Sequence, residues 1–407
     1  MQQGVPLWGD RNEGGDQVRK RTGIEVSHAL AEAVKLARAE VIAAYPITPQ
    51  THIVERLAEM VANGELEASY INVESEHSAL SACVGASATG ARTFTSTSAQ
   101  GLELMHEILY ITSSLRLPVV MAVVNRALSA PLSIWADHSD AMATRDTGWI
   151  SLFCENGQEV FDFTLMAYRI GEDRRALLPV MVNLDGFSVS HVVEPIEFLT
   201  QEEADEFLPP FGPPFRLDPD RPLTFGAYGM PEIYTEAKFA QEMAIRAAKA
   251  VVKEVMEEFG RRFGRSYSPV EVFGEPESAD CTFLALGSIN ENIKSAIEAM
   301  SKEGKKAALL ALRLFRPFPF EELEPLLRRI ERVAIIERVM PAGAPNGPVY
   351  AECASSLYGT GVEVILGNYV VGLGGRDVPV HIFRAIYEDM MAKKRTEGGY
   401  KVMGVRR

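Results

Sequence analysis

The sequence contains little cysteine, and its four cysteines are far apart along 407 residues. Zinc sites and iron–sulfur clusters built from one segment need closely spaced cysteines, so neither is expected here. Each cysteine is instead predicted to be a small buried hydrophobic residue. The seven histidines also show no metal-ligand spacing, and we therefore assign no metal ligand to this chain. The cysteines are Cys83, Cys154, Cys281 and Cys353.

Long apolar runs and an excess of basic residues are also missing. No uninterrupted apolar stretch approaches the roughly 20 residues that a membrane helix needs. Residues 1–23 are polar and charged, unlike a signal peptide. We therefore expect a cytoplasmic protein without a membrane partner. The net charge of −14 argues against a nucleic-acid partner, because phosphate binding requires concentrated lysine and arginine.

The length of the chain predicts more than one domain, because 407 residues exceed what one ordinary core organises. In residues 23–200, amphipathic helices alternate with short apolar strands, a pattern typical of a doubly wound parallel sheet covered by helices on both faces. A smaller pattern of the same kind follows later. The predicted regions are a polar N-terminal extension (1–22), an α/β domain (23–200), a proline-rich connector with a long helix (201–267), a smaller α/β domain (268–395) and a tail (396–407).

Individual elements follow from the same periodicities. The predicted helices are residues 25–38, 52–62, 78–89, 102–115, 160–170, 231–263 and 290–302. The predicted strands are residues 40–44, 92–97, 118–124, 179–184, 281–286, 306–312, 333–337 and 362–366. The prolines of residues 208–215 predict an extended path without regular hydrogen bonds. Residues 313–319 (RLFRPFP) are predicted as a loop that follows a strand.

Residues 45–51 (YPITPQT) form the first motif. They follow an apolar strand, and their two prolines prevent any regular continuation, so Thr48 is predicted to lie in a strand-to-helix loop. Such loops at the carboxyl ends of parallel strands are where open α/β sheets bind ligands. A rigid connection without a ligand is an equally good interpretation of this spacing.

Two charged residues stand out further along the chain. Glu76, within residues 73–78 (VESEHS), precedes a helix of small residues and is either a favourable first-turn charge or a functional carboxylate. Arg126 follows the buried strand 118–124 and is either a salt-bridged structural residue or an anion clamp. The planar guanidinium group suits recognition of a substrate carboxylate.

Together, these motifs and residues 144–149 (TRDTGW) resemble the alpha subunits of 2-oxoacid:ferredoxin oxidoreductases, most closely those of the pyruvate type. The resemblance covers about residues 22–395. It implies a thiamine-diphosphate-binding-type pyrimidine domain and a smaller domain like the C-terminal domain of transketolase. In that family, the carboxylate that matches Glu76 hydrogen-bonds the aminopyrimidine ring of thiamine diphosphate and activates the cofactor.

The resemblance also assigns the remaining site residues. Thr48 and Arg126 match the positions that contact the 2-oxoacid, and Pro46 and Ile47 are placed with Glu76 among the cofactor-binding residues. The implied reaction is oxidative decarboxylation of a 2-oxoacid, with pyruvate first, to an acyl-CoA and CO2. Coenzyme A is implied by the family alone.

Half of a thiamine site is missing from the sequence. In similar enzymes an Asp of a Gly-Asp-Gly turn and a later Asn hold the metal that binds the diphosphate, and this chain has no such element. Residues 183–186 (NLDG) come nearest, without a matching second segment. The diphosphate and its Mg²⁺ are therefore expected on a beta subunit that shares the cofactor. By resemblance, [4Fe-4S] clusters in gamma and ferredoxin-like delta subunits carry electrons to external ferredoxin.

Three alternatives stay open at this stage. The first is the same chemistry on a branched-chain or aryl 2-oxoacid, such as 2-oxoisovalerate or phenylglyoxylate, because the motifs address only the carboxylate and keto end. The second is a non-catalytic scaffold subunit, against which the presence of Thr48, Glu76 and Arg126 argues. The third is half of a thiamine-dependent synthase or transketolase, which needs no electron acceptor.

Overall fold

The computed structural model describes residues 21–406, so residues 1–20 of the predicted N-terminal extension and residue 407 of the predicted tail lie outside the described residues. The chain forms α/β layers around two large sheets and one two-stranded ribbon.

Up to residue 263 the elements are β1 (Arg21–Glu25), α1 (Val26–Leu36), β2 (Val41–Ala44), α2 (Thr51–Ala62), β3 (Ser69–Asn72), α3 (Glu76–Ala88), β4 (Thr93–Thr97), α4 (Ala99–Leu104), α5 (His106–Ser114), β5 (Val120–Asn125), α6 (Ser139–Ala143), β6 (Ile150–Phe153), α7 (Gly157–Gly171), β7 (Val180–Asp185), β8 (Val193–Glu197), α8 (Gln201–Phe207) and α9 (Pro231–Phe263). After it come β9 (Val270–Phe273), β10 (Cys281–Leu286), α10 (Ile289–Ser301), β11 (Ala307–Leu312), β12 (Leu314–Arg316), α11 (Phe320–Leu327), β13 (Arg332–Glu337), α12 (Pro348–Leu357), β14 (Ile365–Val370), α13 (Val380–Ala392) and β15 (Tyr400–Val402).

The first sheet has seven strands in the order β12-β6-β7-β5-β4-β2-β3. All its pairs are parallel except β12 with β6. Alternate residues of β5 and β7 enter two separate hydrophobic clusters, one on each face of the sheet. Both faces are therefore covered by helices, as the near-continuous apolar strands predict.

The long helix α9 spans the predicted residues 231–263 and belongs to the core of the first sheet. Its second half buries Ala248, Val252 and Phe259, whereas residues 231–240 are all exposed. Gly264 ends the helix in the left-handed region, with φ of +75°. Residues 208–230, which include the predicted proline-rich path, contain no helix or strand.

The second sheet has six strands in the order β15-β14-β13-β10-β11-β9, with only β9 antiparallel to its neighbour. The predicted fourth strand, residues 362–366, is present but displaced along the chain, because β14 begins at Ile365 and continues to Val370. A glycine such as Gly367 usually favours a turn, but here it lies within β14. A Cβ there would meet the Met390 sulfur and lie 2.7 Å from Tyr369 Cε2, so glycine is required by packing.

Two short strands cross the predicted boundaries. β12 lies within the predicted loop 313–319 and pairs with β6, with Leu314 opposite Leu152, so it completes the first sheet. β15 lies within the predicted tail and extends the second sheet. Both are three residues long, and their pairing partners are distant in sequence, so local patterns do not reveal them.

Two further expectations concern the cysteines and membrane-spanning helices. All four cysteines are buried and free, which confirms their predicted behaviour as small hydrophobic residues. Among residues 21–406, no helix has both the length and the apolar character needed to span a bilayer.

Candidate active site

The loop of residues 45–50 joins β2 to α2 and is fixed by Gln50, a residue that sequence reasoning missed. Gln50 is fully buried, and its Nε2 donates to the backbone oxygen and the hydroxyl of Ser96 on β4, at 2.8 and 2.7 Å. Its Oε1 accepts from the backbone N–H of Ile47 at 3.2 Å. The loop is therefore held on the neighbouring strand. Pro46 is exposed and Ile47 is half-buried.

The other end of this loop packs against the turn after β7. A Cβ on Gly186 would lie 2.6 Å from Pro49 Cγ and 2.7 Å from the backbone oxygen of Asn125. Such distances are shorter than real side-chain contacts allow, so only glycine permits the three segments to pack this closely.

Arg126 and Thr48, both predicted to contact the substrate, are brought together by the fold. Arg126 is buried, and its Nη1 donates to the backbone oxygen of Thr48 at 2.8 Å, while its Nε donates to that of Ser133 at 3.0 Å. Within residues 21–406, neither Arg126 Nη2 nor the exposed Thr48 hydroxyl forms a hydrogen bond. Burial lowers the pKa of Arg126 below its ordinary value. An anion is the natural partner for such a group.

Asp140, also missed by sequence reasoning, holds the arginine segment in place. Its buried carboxylate accepts from the backbone N–H groups of Arg126, Ala99 and Ala141, at 2.9, 3.1 and 2.7 Å. The Asn125 side chain donates to it at 3.0 Å. Burial raises the pKa of Asp140 to about 6 even though four donors oppose that rise. Asp140 therefore ties the end of β5 to the beginning of α4.

Glu76 is the first residue of α3, whose N-terminus is capped by Ser75. Only 6% of Glu76 is exposed, yet its carboxylate forms no hydrogen bond or ion pair in the part of the chain that the structure describes. Buried carboxylates normally have partners, because desolvation is costly. Glu74 differs in both respects, since it is exposed and accepts from the Ser78 hydroxyl at 2.5 Å.

The space around Glu76 is shaped by Gly101 of α4. A Cβ on Gly101 would lie 2.6 Å from Glu76 Oε1 and would also collide with the Thr97 hydroxyl. The buried hydroxyls of Thr97 and Ser98 have no hydrogen-bond partner among residues 21–406. Two polar groups without partners among the described residues, the Glu76 carboxylate and the Thr97 hydroxyl, therefore meet beside a glycine that cannot be larger.

All these groups lie at one edge of the first sheet. Thr48, Glu76, Ser98 and Arg126 follow β2, β3, β4 and β5, which are four adjacent parallel strands. The carboxyl ends of parallel strands are the usual ligand-binding edge of such a sheet. The sequence motifs therefore converge on one place, as the resemblance implies.

His138 belongs to a charged cluster at the end of β7. It is buried, and its Nε2 lies 3.1 Å from Asp185 Oδ1 at the end of β7. Arg338, after β13, contacts the other oxygen of Asp185 at 2.7 Å. Burial acts to raise the pKa of Asp185, but Arg338 and His138 hold it well below its ordinary value. This cluster joins the two large sheets.

Fold and site together define an α/β protein with a candidate ligand site at the carboxyl ends of its parallel strands. The family model "Pyruvate flavodoxin/ferredoxin oxidoreductase, thiamine diphosphate-binding" matches residues 32–257. The model "Pyruvate:ferredoxin oxidoreductase core domain II" matches residues 279–383. The chain belongs to the 2-oxoacid:ferredoxin oxidoreductase family and is a subunit of its alpha type.

Named relatives agree with this assignment. Pyruvate synthase subunit PorA of Methanocaldococcus jannaschii is 50% identical over 88% of this chain and 92% of its own length. Ketoisovalerate oxidoreductase subunit VorA of Pyrococcus horikoshii is 46% identical over 92% of this chain and 94% of its own. The solved 2-oxoglutarate:ferredoxin oxidoreductase of Magnetococcus marinus shares the fold, with a TM-score of 0.71 at 18% identity. That match covers 92% of this chain and 66% of the other chain.

Proposed function

We propose that this chain supplies one half of a thiamine diphosphate site, in which Glu76 activates the cofactor and Thr48 and Arg126 bind the 2-oxoacid. The observation that carries the proposal is the buried Glu76 carboxylate, which lacks a partner within residues 21–406. An aminopyrimidine nitrogen is a suitable partner, because it can share a proton with a carboxylate. The Thr97 hydroxyl, beside the same glycine, is a further buried group without a partner among residues 21–406.

The chemistry divides between cofactor and protein. Thiamine diphosphate, when bound, supplies the carbon nucleophile that attacks the keto group of the substrate. Glu76 would hold the proton at the pyrimidine ring, with Pro46 and Ile47 beside it on the fixed loop. The buried site strengthens this contact, since water competes little for either group.

Substrate binding rests on the pairing of Arg126 with Thr48. Neither Arg126 Nη2 nor the Thr48 hydroxyl has a hydrogen-bond partner among residues 21–406, and these two donors suit the carboxylate of a 2-oxoacid. The guanidinium charge also offsets negative charge that develops on the substrate. We propose pyruvate as the first substrate, and a branched-chain or aryl 2-oxoacid as the second, since a relative named for ketoisovalerate is nearly as similar as one named for pyruvate.

The rest of the site is proposed to come from partner subunits. A beta subunit would bind the diphosphate and Mg²⁺, and gamma and ferredoxin-like delta subunits would hold [4Fe-4S] clusters that reduce external ferredoxin. Coenzyme A would accept the acyl group. The family is one of multi-subunit enzymes, which supports this division. A cytoplasmic location stays a prediction.

The test is viologen reduction by the complex purified through this chain, with thiamine diphosphate and coenzyme A present. The panel contains pyruvate, 2-oxoisovalerate, 2-oxoglutarate and phenylglyoxylate. Activity that requires thiamine diphosphate supports the proposal, and the preferred acid names the substrate. A complex that contains the cofactor and iron but reduces no dye with any acid would favour the scaffold or the synthase instead.

A further inference from the structure

A second group of functional side chains lies where β1 meets α2 and the segment before β8. Glu25, His52 and His191 each place one ligand atom within 4.8 Å of those of the other two. We call these residues the Glu25–His52–His191 cluster. All three are half-buried, so the cluster is reachable from solvent without being fully hydrated. None of the three is among the residues assigned above to the cofactor or the oxoacid.

The backbone holds the three segments together independently of these side chains. The N–H of Val26 donates to the oxygen of Val192 at 3.0 Å, and that of Ser27 donates to the oxygen of Ser190 at 2.9 Å. The Ser27 hydroxyl donates to the same Ser190 oxygen at 2.7 Å. These bonds continue the pairing of β1 with β8 up to His191. The cluster is therefore built on ordered backbone.

The geometry suits a tetrahedral divalent ion. Glu25 Oε1 lies 2.7 Å from His52 Nδ1, and the rings of His52 and His191 have centroids 4.4 Å apart. Ligands about 2.1 Å from a tetrahedral zinc ion are about 3.4 Å from one another. The ligand atoms of this cluster are separated by 2.7 Å for Glu25 and His52 and by no more than 4.8 Å for any pair, which brackets that value. Small side-chain rotations would bring the three ligand atoms to this separation.

The surroundings of His191 support the same conclusion. Its Nδ1 lies 2.7 Å from the Ser190 hydroxyl, which also accepts from the backbone N–H of Phe187 at 2.9 Å. A metal-binding histidine usually has its second ring nitrogen held in this way. Glu25 has no lysine or arginine partner among residues 21–406, so its charge is left for a cation. The ring of His28 lies 6.3 Å from that of His52 and offers a fourth ligand.

We propose that Glu25, His52 and His191 bind a zinc ion or another divalent ion of borderline hardness, with water or His28 as the fourth ligand. Imidazole together with one carboxylate selects such ions over Mg²⁺ or Ca²⁺. The ion would clamp β1, α2 and the turn after β7. Since the ligands come from three distant segments, their spacing in the sequence gives no sign of the site.

The test uses the full-length chain without a histidine tag, treated with EDTA and desalted. Calorimetric titration with ZnCl2 should give one zinc ion per chain, while MgCl2 gives no comparable heat. His191→Gln and Glu25→Gln should each weaken zinc binding at least about tenfold. The matched control is His106→Gln, since His106 also lies beside a glutamate, Glu103, at 3.3 Å, but on α5. This control should bind zinc as the wild type does.

Thermal unfolding separates loss of the site from loss of the fold. In EDTA the variants should unfold at the wild-type temperature, and added zinc should raise the midpoint only for the wild type and His106→Gln. Zinc binding that is absent from the wild type, or equal in the wild type and the Glu25→Gln and His191→Gln variants, would overturn the proposal. Glu25→Gln is nearly isosteric, so it decides the matter if a histidine variant does not fold.

Discussion

Arg126 donates a hydrogen bond from Nη1 to the backbone oxygen of Thr48, at 2.8 Å. The two residues are 78 positions apart in sequence, and the bond joins both groups that are proposed to contact the 2-oxoacid. One nitrogen of the guanidinium therefore shapes the loop, while Nη2 is left for a ligand. Substitution of Arg126 should affect substrate binding and loop geometry together.

Arg126→Ala is expected to raise KM and lower kcat, because the clamp acts in both the ground state and the transition state. A lost charge-assisted hydrogen bond corresponds to a fall in kcat/KM of about 10- to 100-fold. Arg126→Lys should recover only part of the lost kcat/KM. An ammonium group lacks the planar fork with which a guanidinium can contact Thr48 and a substrate carboxylate at the same time. Steady-state kinetics of the assembled complex measure this. Arg246→Ala, on the exposed side of α9, is the control, and equal kinetics in both alanine variants would make Arg126 structural.

Glu76→Gln is expected to lower turnover at least about 100-fold without loss of stability. The glutamine keeps the shape of the side chain but removes a buried charge that has no partner within residues 21–406, so the unfolding temperature should be unchanged or higher. Dye reduction and thermal unfolding of the complex are the measurements. Glu74→Gln, an exposed carboxylate two residues away, should remain active. Near-normal activity of Glu76→Gln would remove its proposed role.

Gly101→Ala should reduce kcat/KM about 100-fold, because its Cβ would displace Glu76 Oε1, which lies 2.6 Å from that position. The matched control is Gly85→Ala in α3, where a Cβ would meet nothing within 4 Å. The control should be fully active and, as a helix-interior change, up to about 1 kcal/mol more stable. If both variants were equally active, the space beside Glu76 would not limit the reaction.

The raised pKa of Asp140 should make the stability of the protein depend on pH. Burial raises its folded pKa to about 6, above the unfolded value of 3.8, so between these values the folded chain keeps a proton that the unfolded chain releases. The contribution of Asp140 to the free energy of unfolding is therefore greatest below pH 4. It falls by about 3 kcal/mol as the pH rises past 6. Urea unfolding across pH 4 to 7 should show a smaller fall in Asp140→Asn than in the wild type. Parallel curves would show that Asp140 does not titrate in this range.

Much of the fold could be predicted from local patterns. The helix α9 matches its predicted limits, because Pro231 suits the first turn and Gly264 suits the end. The buried strand β10 also matches, since an apolar run bounded by polar residues is unambiguous there. β12 was missed because its stability comes from pairing with β6, about which residues 313–319 contain no local information.

The site divides in the same way. Thr48, Glu76 and Arg126 were noted for their positions near predicted strands, but only the resemblance to a known family assigned them to the site. Gln50 and Asp140 were missed, since each acts through hydrogen bonds to other segments: Gln50 to Ser96, and Asp140 to Ala99. Such contacts become visible only when the fold has placed the segments side by side.

The strand β12 has a consequence for how the protein is made. During translation β6 and β7 are synthesised long before residues 314–316. Until β12 is made, β6 is therefore an exposed edge strand of the first sheet. Open edges invite pairing with other chains. Synthesis halted before residue 314, or a gene cut there, should therefore give an aggregation-prone product, although every other strand of that sheet is already present.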